Sequence, residues 1–429
     1  MLTTSRIPLG RAHMLASAIT HDAEGAGLQF DVLTPVGSLR RFSPDIGDVS
    51  LLGVAPAAEH PRLLDEFVRL RPFTRVISRA SAQVTAETER GPVTLHLVDP
   101  GEAGAALVWH TGSVGHTSLL QARARQLGLT LDEGHLVDAA GVVIPTPDEY
   151  AVYRRLELPF IPPEVREGTD EIEIAERGHF PMLVTESHIR GDLHMHSTWS
   201  DGRNPIGEMV VAGQQLGYEY VAITDHSERS LASRKLAAAD IARQRRDIDK
   251  VRKRTPGIAV LHGIEVDIMK DGTLDFTDDE LAGFEIVLAS LHDHGGHDAE
   301  TLTERYLRAI HHPLVNIITH PANRSPARFA GYDVDFDRLF AAAAATGTAM
   351  EIDGAPGHLD MDGALARRAV AHGVTVVINS DCHRADALGR QMRFGVGTAR
   401  RGWIEPSHVL NARSLDDVRA FLARKRAWR

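Results

Sequence analysis

The sequence between residues 191 and 381 alternates between apolar, β-rich runs and segments whose apolar residues recur at helical spacing. The strand candidates are 191–196, 220–226, 258–267, 286–292, 315–320, 348–353 and 374–381. The helix candidates between them are 205–217, 235–254, 300–312, 335–346 and 362–372. This alternation predicts a mainly parallel sheet, and seven such units favour a β/α barrel. Function in such barrels collects at the carboxyl ends of the strands.

Histidines and carboxylates stand where these strand candidates end. They are His194, His196, Asp201, His226, Glu265, His292, His320, Asp381 and His383. A His-x-His pair on a strand projects both rings to the same side, because side-chain direction has a period of two residues. Any one of these histidines alone is more simply interpreted as a packed core residue. Burying the whole set without partners would cost several kcal/mol for each group, so a shared cluster of divalent cations is the simpler explanation.

The totals limit the class of protein. A chain of 429 residues is expected to form two or three domains. Its single cysteine, Cys382, excludes an intrachain disulfide framework. No apolar run reaches the length of a membrane span and the N-terminus has no signal-peptide pattern, so we expect a cytoplasmic protein without a membrane partner. The formal net charge of −11 argues against tight, non-specific, metal-free DNA binding but leaves a nuclease open.

Several short runs in this region carry a family resemblance. They are Gly-Asp-Leu-His-Met-His-Ser-Thr-Trp-Ser-Asp-Gly (191–202), Ile-Thr-Asp-His-Ser (223–227), Gly-Ile-Glu-Val-Asp-Ile (263–268), Ser-Leu-His (290–292), Thr-His-Pro (319–321) and Ser-Asp-Cys-His (380–383). On these motifs, residues 190–405 resemble the PHP (polymerase and histidinol phosphatase) superfamily. The resemblance implies a distorted seven-stranded β/α barrel with a trinuclear metal centre.

The resemblance also implies a metal-binding role for each of the histidines and carboxylates that stand at the ends of the strand candidates. One ion would take His194, His196, Glu265 and Asp381, a second would share Glu265 and take His292 and His320, and a third would take Asp201, His226 and His383. Glu265 and Asp381 are predicted as the catalytic carboxylates, with Glu265 bridging two ions because one carboxylate has two oxygens. Two or three divalent ions are expected, and zinc, manganese and iron all suit these ligands.

Neighbours of these residues carry further expectations. Asp192 and Asp225 either orient imidazole rings or cap backbone amides at the strand ends. Arg324 either binds a substrate phosphate or is a surface arginine. Cys382 lies between two metal-binding positions and is expected to face away from them as a packing residue.

The first half of the chain resembles family X DNA polymerases. Gly-Ser-Leu-Arg-Arg (37–41) and Ile-Gly-Asp-Val-Ser-Leu-Leu (46–52) are similar to the palm motif of that family. Residues 109–113 and 121–129 resemble the thumb, and residues 153–166 resemble the segment that joins the thumb to a PHP domain in bacterial members. Together the two resemblances span nearly the whole chain.

The palm departs from the family pattern at its metal-binding positions. The resemblance requires three carboxylates to hold two magnesium ions, but only Asp48 is present, and Ser50 and Thr94 stand at the other two positions. Neutral hydroxyls cannot hold two magnesium ions beside nucleotide phosphates. We therefore expect nucleotide transfer to be lost, with the palm surviving as a scaffold, a weak DNA-binding module or a partner surface.

These patterns predict an α/β protein in which a smaller, palm-like α/β domain precedes the barrel. The expected segments are a palm-like domain (1–105), a thumb-like segment (106–165), a linker (166–190), a PHP domain (191–405) and a C-terminal helical tail (406–429).

The expected function is that of a metal-dependent phosphoesterase. The leading prediction is a 3′–5′ exonuclease or DNA-end-processing hydrolase, whose phosphate-ester substrates include single-stranded DNA ends. A phosphatase of a small phosphomonoester is the alternative among enzymes, favoured by the acidic charge and by a chain that begins at the palm without the helix-hairpin-helix regions of family X. A non-catalytic DNA-repair scaffold is the alternative of another class, and the complete ligand set argues against it.

Overall fold

The computed structural model describes residues 6–427, and the chain divides into two compact units, Met1–Pro181 and Met182–Arg429. Each unit contains both helices and strands, which confirms the predicted α/β class. No helix within residues 6–427 is long and apolar enough to cross a bilayer.

The first unit is built on a five-stranded mixed sheet and two small two-stranded sheets. The strands of the unit are β1 (Ile7–Pro8), β2 (Val32–Pro35), β3 (Asp45–Ile46), β4 (Val49–Val54), β5 (Phe73–Arg79), β6 (Gln83–Thr88), β7 (Gly91–Val98), β8 (Thr130–Asp132) and β9 (His135–Val137). The large sheet has the order β2-β4-β7-β6-β5, in which β4 and β7 run parallel and the other neighbours are antiparallel. The helices are α1 (Leu9–Gly25), α2 (Gly37–Arg40), α3 (His60–Phe67), α4 (Ala103–Thr111), α5 (Val114–Gln126), α6 (Glu149–Arg155) and α7 (Glu171–Glu176).

The first part of the predicted linker is folded into this unit. The Arg166 side chain is fully buried and donates to the Glu149 carboxylate over 2.7 Å. Glu171, at the start of α7, is also buried and pairs with His116 Nδ1 at 2.8 Å. The start of the predicted linker is therefore not free, because buried ion pairs tie Arg166 and Glu171 to other residues of the first unit.

The second unit is a parallel β/α barrel. Its strands are β10 (Gly191–Asp192), β11 (Tyr220–Ile223), β12 (Ala259–Asp267), β13 (Ile286–Ser290), β14 (Ile317–Ile318), β15 (Ala349–Asp353) and β16 (Val376–Asn379), and they pair in sequence order. The helices are α8 (Ile206–Gln215), α9 (Ile241–Arg254), α10 (Asp278–Ala282), α11 (Ala299–His311), α12 (Phe336–Thr346), α13 (Gly363–Ala371), α14 (Leu388–Arg401) and α15 (Leu415–Arg426). The predicted seven-stranded barrel is confirmed, and every strand lies within its predicted range.

The first strand is shorter than the predicted run 191–196 because the amides after it are satisfied by side chains. The His196 N–H donates to the Cys382 carbonyl oxygen over 2.9 Å, but the three residues between Asp192 and His196 do not donate to a neighbouring strand. Their N–H groups donate instead to side-chain oxygens, over 3.0 Å from Leu193 to Asn379, 3.1 Å from His194 to Asp192 and 3.1 Å from Met195 to Thr224. The segment that carries the His-x-His pair is therefore positioned by side chains rather than by a continuous ladder.

The barrel closes between β10 and β16 through a buried side-chain amide. One isolated parallel bridge joins Met195 to Cys382 near the carboxyl ends of these strands. The Nδ2 group of Asn411 donates to the carbonyl oxygens of Gly191 over 2.8 Å and Ile378 over 2.6 Å. Its Oδ1 accepts from the N–H of Ile378 at 3.1 Å. Asn411 thus supplies the hydrogen bonds that a direct strand pair would make at this seam.

The C-terminal segment is part of the barrel core. An inner layer of apolar side chains contains alternate strand residues such as Leu288 and Val377, and an outer layer packs the other strand faces against the helices. Val418 and Phe421 of α15 belong to the inner layer. The segment 406–429 was predicted as a helical tail, and it contains the predicted helix. Within residues 406–427, however, the buried side chains pack into the inner apolar layer of the barrel and complete it.

We expect Asn411→Leu to lower the free energy of unfolding by about 1–3 kcal/mol, because leucine would leave the buried backbone groups of Gly191 and Ile378 without partners. Urea unfolding followed by circular dichroism measures the change. Ser407→Ala, at an exposed neighbouring position, is the control and should stay within about 0.5 kcal/mol of wild type. A fully stable Asn411→Leu protein would contradict a role for this amide in closing the seam.

Candidate metal centre

All the residues with predicted metal-binding roles come together at the carboxyl ends of the barrel strands. Sets of their ligand atoms lie within 4.8 Å of one another. These sets are His196, Asp201, His226 and His383; His194, His196 and Asp381; and His226, Glu265 and His292. His320 joins through Glu265, since its Nε2 lies 3.1 Å from Glu265 Oε1. Because the sets share members, they form one continuous cluster.

Glu265 lies at the middle of this cluster. It belongs to β12 and has no exposed surface. Its Oε1 faces His320 and His292, at 3.1 and 3.7 Å from their Nε2 atoms. Its Oε2 lies 2.8 Å from His226 Nδ1, 3.4 Å from His194 Nε2 and 3.5 Å from His196 Nε2. The two oxygens therefore face different groups of imidazoles.

Two aspartates stand at the edges of the cluster. Asp381 Oδ1 lies 3.0 Å from His196 Nε2, and Asp201 Oδ1 lies 3.2 Å from His383 Nε2. Each carboxylate thus faces an imidazole nitrogen that is also close to another ligand atom of the cluster.

Backbone conformation directs these side chains inward. His320 and Asp381 have φ values of 27° and 48°, in the left-handed region that costs residues with a side chain about 1–3 kcal/mol. Both follow short strands, so the positive φ turns the chain out of the ladder. A Cβ at Gly202 would lie 2.6 Å from the His196 backbone, so glycine allows the turn after Asp201 to approach the His-x-His segment.

The carboxylates of the cluster are anionic at neutral pH. Burial acts to raise the pKa of Glu265, but His226 and His194 outweigh it and hold that pKa well below its usual range. Burial is likewise outweighed at Asp381, chiefly by His194, and its pKa is also held well below the usual range. At Asp201 the hydrogen bond to His383 overcomes burial and lowers the pKa to about 2.

The imidazoles differ in their protonation. Burial and the charge of His383 lower the pKa of His196 to about 3. Burial acts to lower the pKa of His194, but neighbouring carboxylates, Glu351 first, raise it well above its usual value. The pKa of His383 rises to about 9, because the Asp201 hydrogen bond overcomes burial. His196 is therefore neutral and offers the lone pair that a metal-binding imidazole needs.

Several buried atoms of the cluster have no hydrogen-bond partner within the described part of the chain. They include Nδ1 of His196 and Nδ1 of His320, whereas His226 Nδ1 and Glu265 Oε2 lie 2.8 Å from each other. An unpaired buried polar atom costs about 1–3 kcal/mol. Imidazole nitrogens and carboxylate oxygens that converge in this way fit zinc, manganese or iron. The donor set thus fits the divalent ions predicted from the sequence, while their number and identity stay predictions.

Two carboxylates that were not predicted as site residues orient imidazoles of the cluster. Glu351 Oε1 on β15 lies 2.7 Å from His194 Nδ1, and Asp267 Oδ1 on β12 lies 2.8 Å from His292 Nδ1. Carboxylate partners of this kind fix the ring orientation and raise the basicity of the opposite nitrogen. The sequence signal for both was an acidic residue inside an otherwise apolar strand candidate.

Asp192 and Asp225 contact backbone amides instead of imidazoles. Asp192 Oδ1 accepts from the N–H of His194 at 3.1 Å. Asp225 Oδ1 accepts from the N–H groups of Ser197 and Ser200 at 2.8 and 3.1 Å. Of the two alternatives predicted for these residues, capping of backbone amides is the one that the structure contains. Both aspartates thereby hold the His-x-His segment and the turn after it.

The remaining two predicted neighbours lie in different surroundings. Arg324 Nη1 lies 2.9 Å from Asp362 Oδ2, with 13% of the arginine side chain exposed, so it is not a free surface arginine. Its role in binding phosphate stays a prediction. Cys382 is fully buried in the outer core layer, as predicted, and burial raises the pKa of its thiol to about 12.

Aromatic side chains lie beside the cluster. The Tyr332 hydroxyl donates to the His292 carbonyl oxygen over 3.2 Å. The Tyr332 ring contacts the edge of Phe329, with ring centroids 6.1 Å apart. Phe329 is 50% exposed. A half-exposed aromatic ring therefore contacts a tyrosine that is hydrogen-bonded to the His292 backbone.

A cavity of about 350 Å³ also adjoins the cluster. Its lining includes Asp267, which holds the His292 ring, together with Arg229 and Lys270. Arg229 and Lys270 have 67% and 62% of their side chains exposed. Arg229 pairs with Asp275 and Lys270 pairs with Asp293, so the lining of the cavity carries charges of both signs.

The polymerase-like positions of the first unit lie together on neighbouring parallel strands. Ser50 of β4 and Thr94 of β7 are partners in the register. Ser50 Oγ donates to Asp48 Oδ2 over 2.7 Å, and Thr94 Oγ1 lies 3.0 Å from Thr85 Oγ1. Asp48 supplies the sole carboxylate at the three positions that the palm resemblance identified, and the hydroxyls there bond to neighbouring side chains.

Comparisons with known proteins identify relatives of both units. The family model for the DNA polymerase beta thumb matches residues 106–167, and the model for the PHP domain matches residues 192–325. The chain is 36% identical over 428 residues to the Bacillus subtilis protein named DNA polymerase/3′-5′ exonuclease PolX, across 98% of this chain and 73% of that protein. It is 31% identical over 214 residues to a probable phosphatase of Shewanella oneidensis, across 48% of this chain and 77% of that protein. It is 28% identical over 255 residues to a probable phosphatase of Thermoanaerobacter, across 57% of this chain and 96% of that protein.

We expect Glu351→Gln to weaken zinc binding by about 10–100-fold, because an amide cannot hold His194 Nδ1 as a carboxylate does. Competition with a chromogenic chelator measures the affinity. Glu219→Gln changes a half-exposed glutamate paired with Arg190 and should bind zinc as wild type does. Wild-type affinity in Glu351→Gln would show that this contact does not support the centre.

Proposed function

Because the chain belongs to the bacterial family X DNA polymerases that carry a PHP domain, we propose that it is a metal-dependent phosphoesterase that trims DNA 3′ ends. The reaction is that of a 3′–5′ exonuclease or end-processing hydrolase. The relatives and the PHP domain support hydrolase activity in general. The single observation that carries the proposal is the buried cluster of imidazole and carboxylate donors that converge around Glu265.

The residues of the cluster would hold two or three zinc, manganese or iron ions. Ions bound there lower the pKa of a coordinated water and offset the charge of a phosphate ester. We assign the bridging role to Glu265, because its two oxygens face His320 on one side and His226 on the other. Asp381 would complete the donor set beside His196, and its anionic charge at neutral pH suits that role.

Two observations favour a polynucleotide substrate. The relative named as an exonuclease matches almost the whole chain, whereas the relatives named as probable phosphatases match about half of it. Phe329 also offers an exposed ring beside Tyr332, which contacts the His292 backbone. A nucleobase stacked on an aromatic ring gains about 1–3 kcal/mol, so this face suits a base next to the hydrolysed phosphate.

The second candidate is a phosphatase of a small phosphomonoester. The cavity of about 350 Å³ beside Asp267 favours it, because this volume suits a small ligand. The relatives named as probable phosphatases support the same reading. A non-catalytic DNA-repair scaffold is the least favoured, since it leaves the cost of burying the donors of the cluster unexplained.

Loss of nucleotide transfer is the second part of the proposal. Asp48 accepts a hydrogen bond from the Ser50 hydroxyl. Ser50 and Thr94 offer neutral hydroxyls at the two positions where further carboxylates would be needed to bind two magnesium ions. Two magnesium ions require more negative charge than one aspartate supplies. The first unit would then contribute binding or scaffolding rather than chemistry.

The proposal predicts that the protein with manganese shortens a labelled single strand from its 3′ end and hydrolyses a panel of sugar and amino-alcohol phosphates poorly. Gel analysis of the strand and phosphate release from the panel measure the two activities. Glu265→Ala should abolish turnover while the circular dichroism spectrum is retained. Turnover of the small esters alone would favour the phosphatase, stoichiometric DNA binding without turnover would favour the scaffold, and an active Glu265→Ala would refute the bridging role.

We expect Phe329→Ala to raise the KM for a single strand by about 5–100-fold, because it removes the stacking face, and to leave kcat nearly unchanged. Steady-state kinetics on a strand with a normal 3′ base and on one with an abasic 3′ end measure the effect. Phe329→Tyr keeps the ring and is the matched control. An equal loss on both strands would mean that Phe329 does not contact a base.

We expect no extension of a primed template by the wild-type protein with magnesium or manganese and all four deoxynucleotides, because the palm positions lack two carboxylates. Primer-extension gels measure incorporation, and shortening of the same primer is the positive control. Extension that disappears in Asp48→Asn would contradict the loss of nucleotide transfer.

A further inference from the structure

The strand β15 carries acidic residues at the barrel mouth that the metal-binding pattern does not use. Every other barrel strand holds, or is followed by, at least one residue of the cluster around Glu265. β15 ends instead at Asp353, which is fully buried. Since the carboxyl ends of parallel barrel strands meet at one face, Asp353 occupies the place in the ring where a further ligand would stand.

Asp353 lies against two other donors. Ligand atoms of Asp353, His358 and Asp381 are all within 4.8 Å of one another. The His358 ring stacks on the ring of His320, with centroids 5.2 Å apart and planes inclined by 21°. This trio therefore continues the cluster around Glu265 through Asp381 and His320 rather than forming a separate surface site.

Unpartnered atoms distinguish this trio from a structural capping arrangement. Asp353 Oδ1 accepts from the Ala355 N–H at 2.6 Å, as a turn-capping aspartate does. Its Oδ2 and the Nδ1 atom of His358 are buried and have no hydrogen-bond partner among residues 6–427. A capping role explains one oxygen of Asp353 and leaves the other, together with the imidazole, without a function.

Charge makes the arrangement costly without a counter-ion. Asp353 is fully buried and Asp381 is only 8% exposed, and their ligand atoms lie within 4.8 Å of each other. Two buried carboxylates this close repel each other unless a proton or a cation lies between them. A divalent cation would also satisfy His358, which a proton shared between the two carboxylates would not.

We propose that Asp353, His358 and Asp381 form an additional divalent-cation position next to the Glu265 cluster. The proposal rests on the proposed function, since Asp381 is shared with a metal-binding role assigned there. Two carboxylates and an imidazole suit manganese or zinc. Three protein ligands leave coordination positions open, so this ion is held more weakly than the others and is open to a phosphate oxygen of the substrate.

Equilibrium dialysis against increasing manganese, with metal content measured by mass spectrometry, tests the assignment. Wild-type protein should bind several equivalents of manganese tightly, at the cluster around Glu265, and one further equivalent more weakly. Asp353→Asn and His358→Gln should each weaken that last equivalent by about tenfold or more and leave the tight ones unchanged. Asp360→Asn is the matched control: Asp360 is equally buried on the same loop, lies outside the trio and should bind manganese as wild type does.

The outcomes separate this proposal from the proposed function. Fewer than two tight equivalents in the wild type would count against the proposed function itself. A wild-type binding curve in both Asp353→Asn and His358→Gln would overturn the additional position and leave the proposed function standing. Loss of a tight equivalent instead of the weak one would also overturn it, because Asp353 would then only position Asp381. If circular dichroism shows that Asp353→Asn does not fold, the binding curve of His358→Gln alone tests the proposal, because His358 is partly exposed and its substitution is expected to be tolerated.

Discussion

A buried carboxylate surrounded by imidazoles is the interaction on which the second unit depends. Glu265 has no exposed surface, and histidine nitrogens approach both of its oxygens within 3.7 Å. Such a set is unfavourable in an apolar interior unless each charge is compensated. A ring of parallel strands is the arrangement that lets residues distant in sequence compensate one another, because all the strand ends meet at one face. The pKa of Glu265, held low against burial, expresses this compensation.

The same requirement explains where the barrel is irregular. β10 and β14 are short because the residues after them leave the ladder to face Glu265, and His320 does so with a left-handed backbone. The hydrogen bonds that the ladder loses are supplied by side chains, including the amide of Asn411 at the seam. The segment that contains Asn411 thus replaces hydrogen bonds that β10 loses when the residues after it turn toward Glu265. The apolar side chains of α15 complete the inner layer of the barrel.

The first unit presents the opposite case. Its sheet places Ser50 and Thr94 side by side on parallel strands, with Asp48 in contact, so the three positions that the palm resemblance identified lie together. Apart from Asp48 the side chains at these positions are neutral, and their hydroxyl groups hydrogen-bond to neighbouring side chains. Backbone geometry alone therefore does not carry metal chemistry. What distinguishes the cluster around Glu265 is the convergence of several buried carboxylates and imidazoles on one place.

The sequence determined the barrel, the strand ranges and the residues that meet at the strand ends, because these follow from local periodicity and from the rule that parallel strands share a functional face. Tertiary structure decided the pairings across the barrel. Whether Asp225 or Glu351 touches an imidazole depends on which strand ends lie opposite after closure, and no spacing in the sequence encodes that distance. Ion pairing of Arg324 with Asp362 and the burial of α15 were likewise fixed by contacts between residues far apart in the chain. The sequence by itself specifies which imidazoles and carboxylates the chain contains. Packing specifies which of them meet at one place, where they can bind a cation.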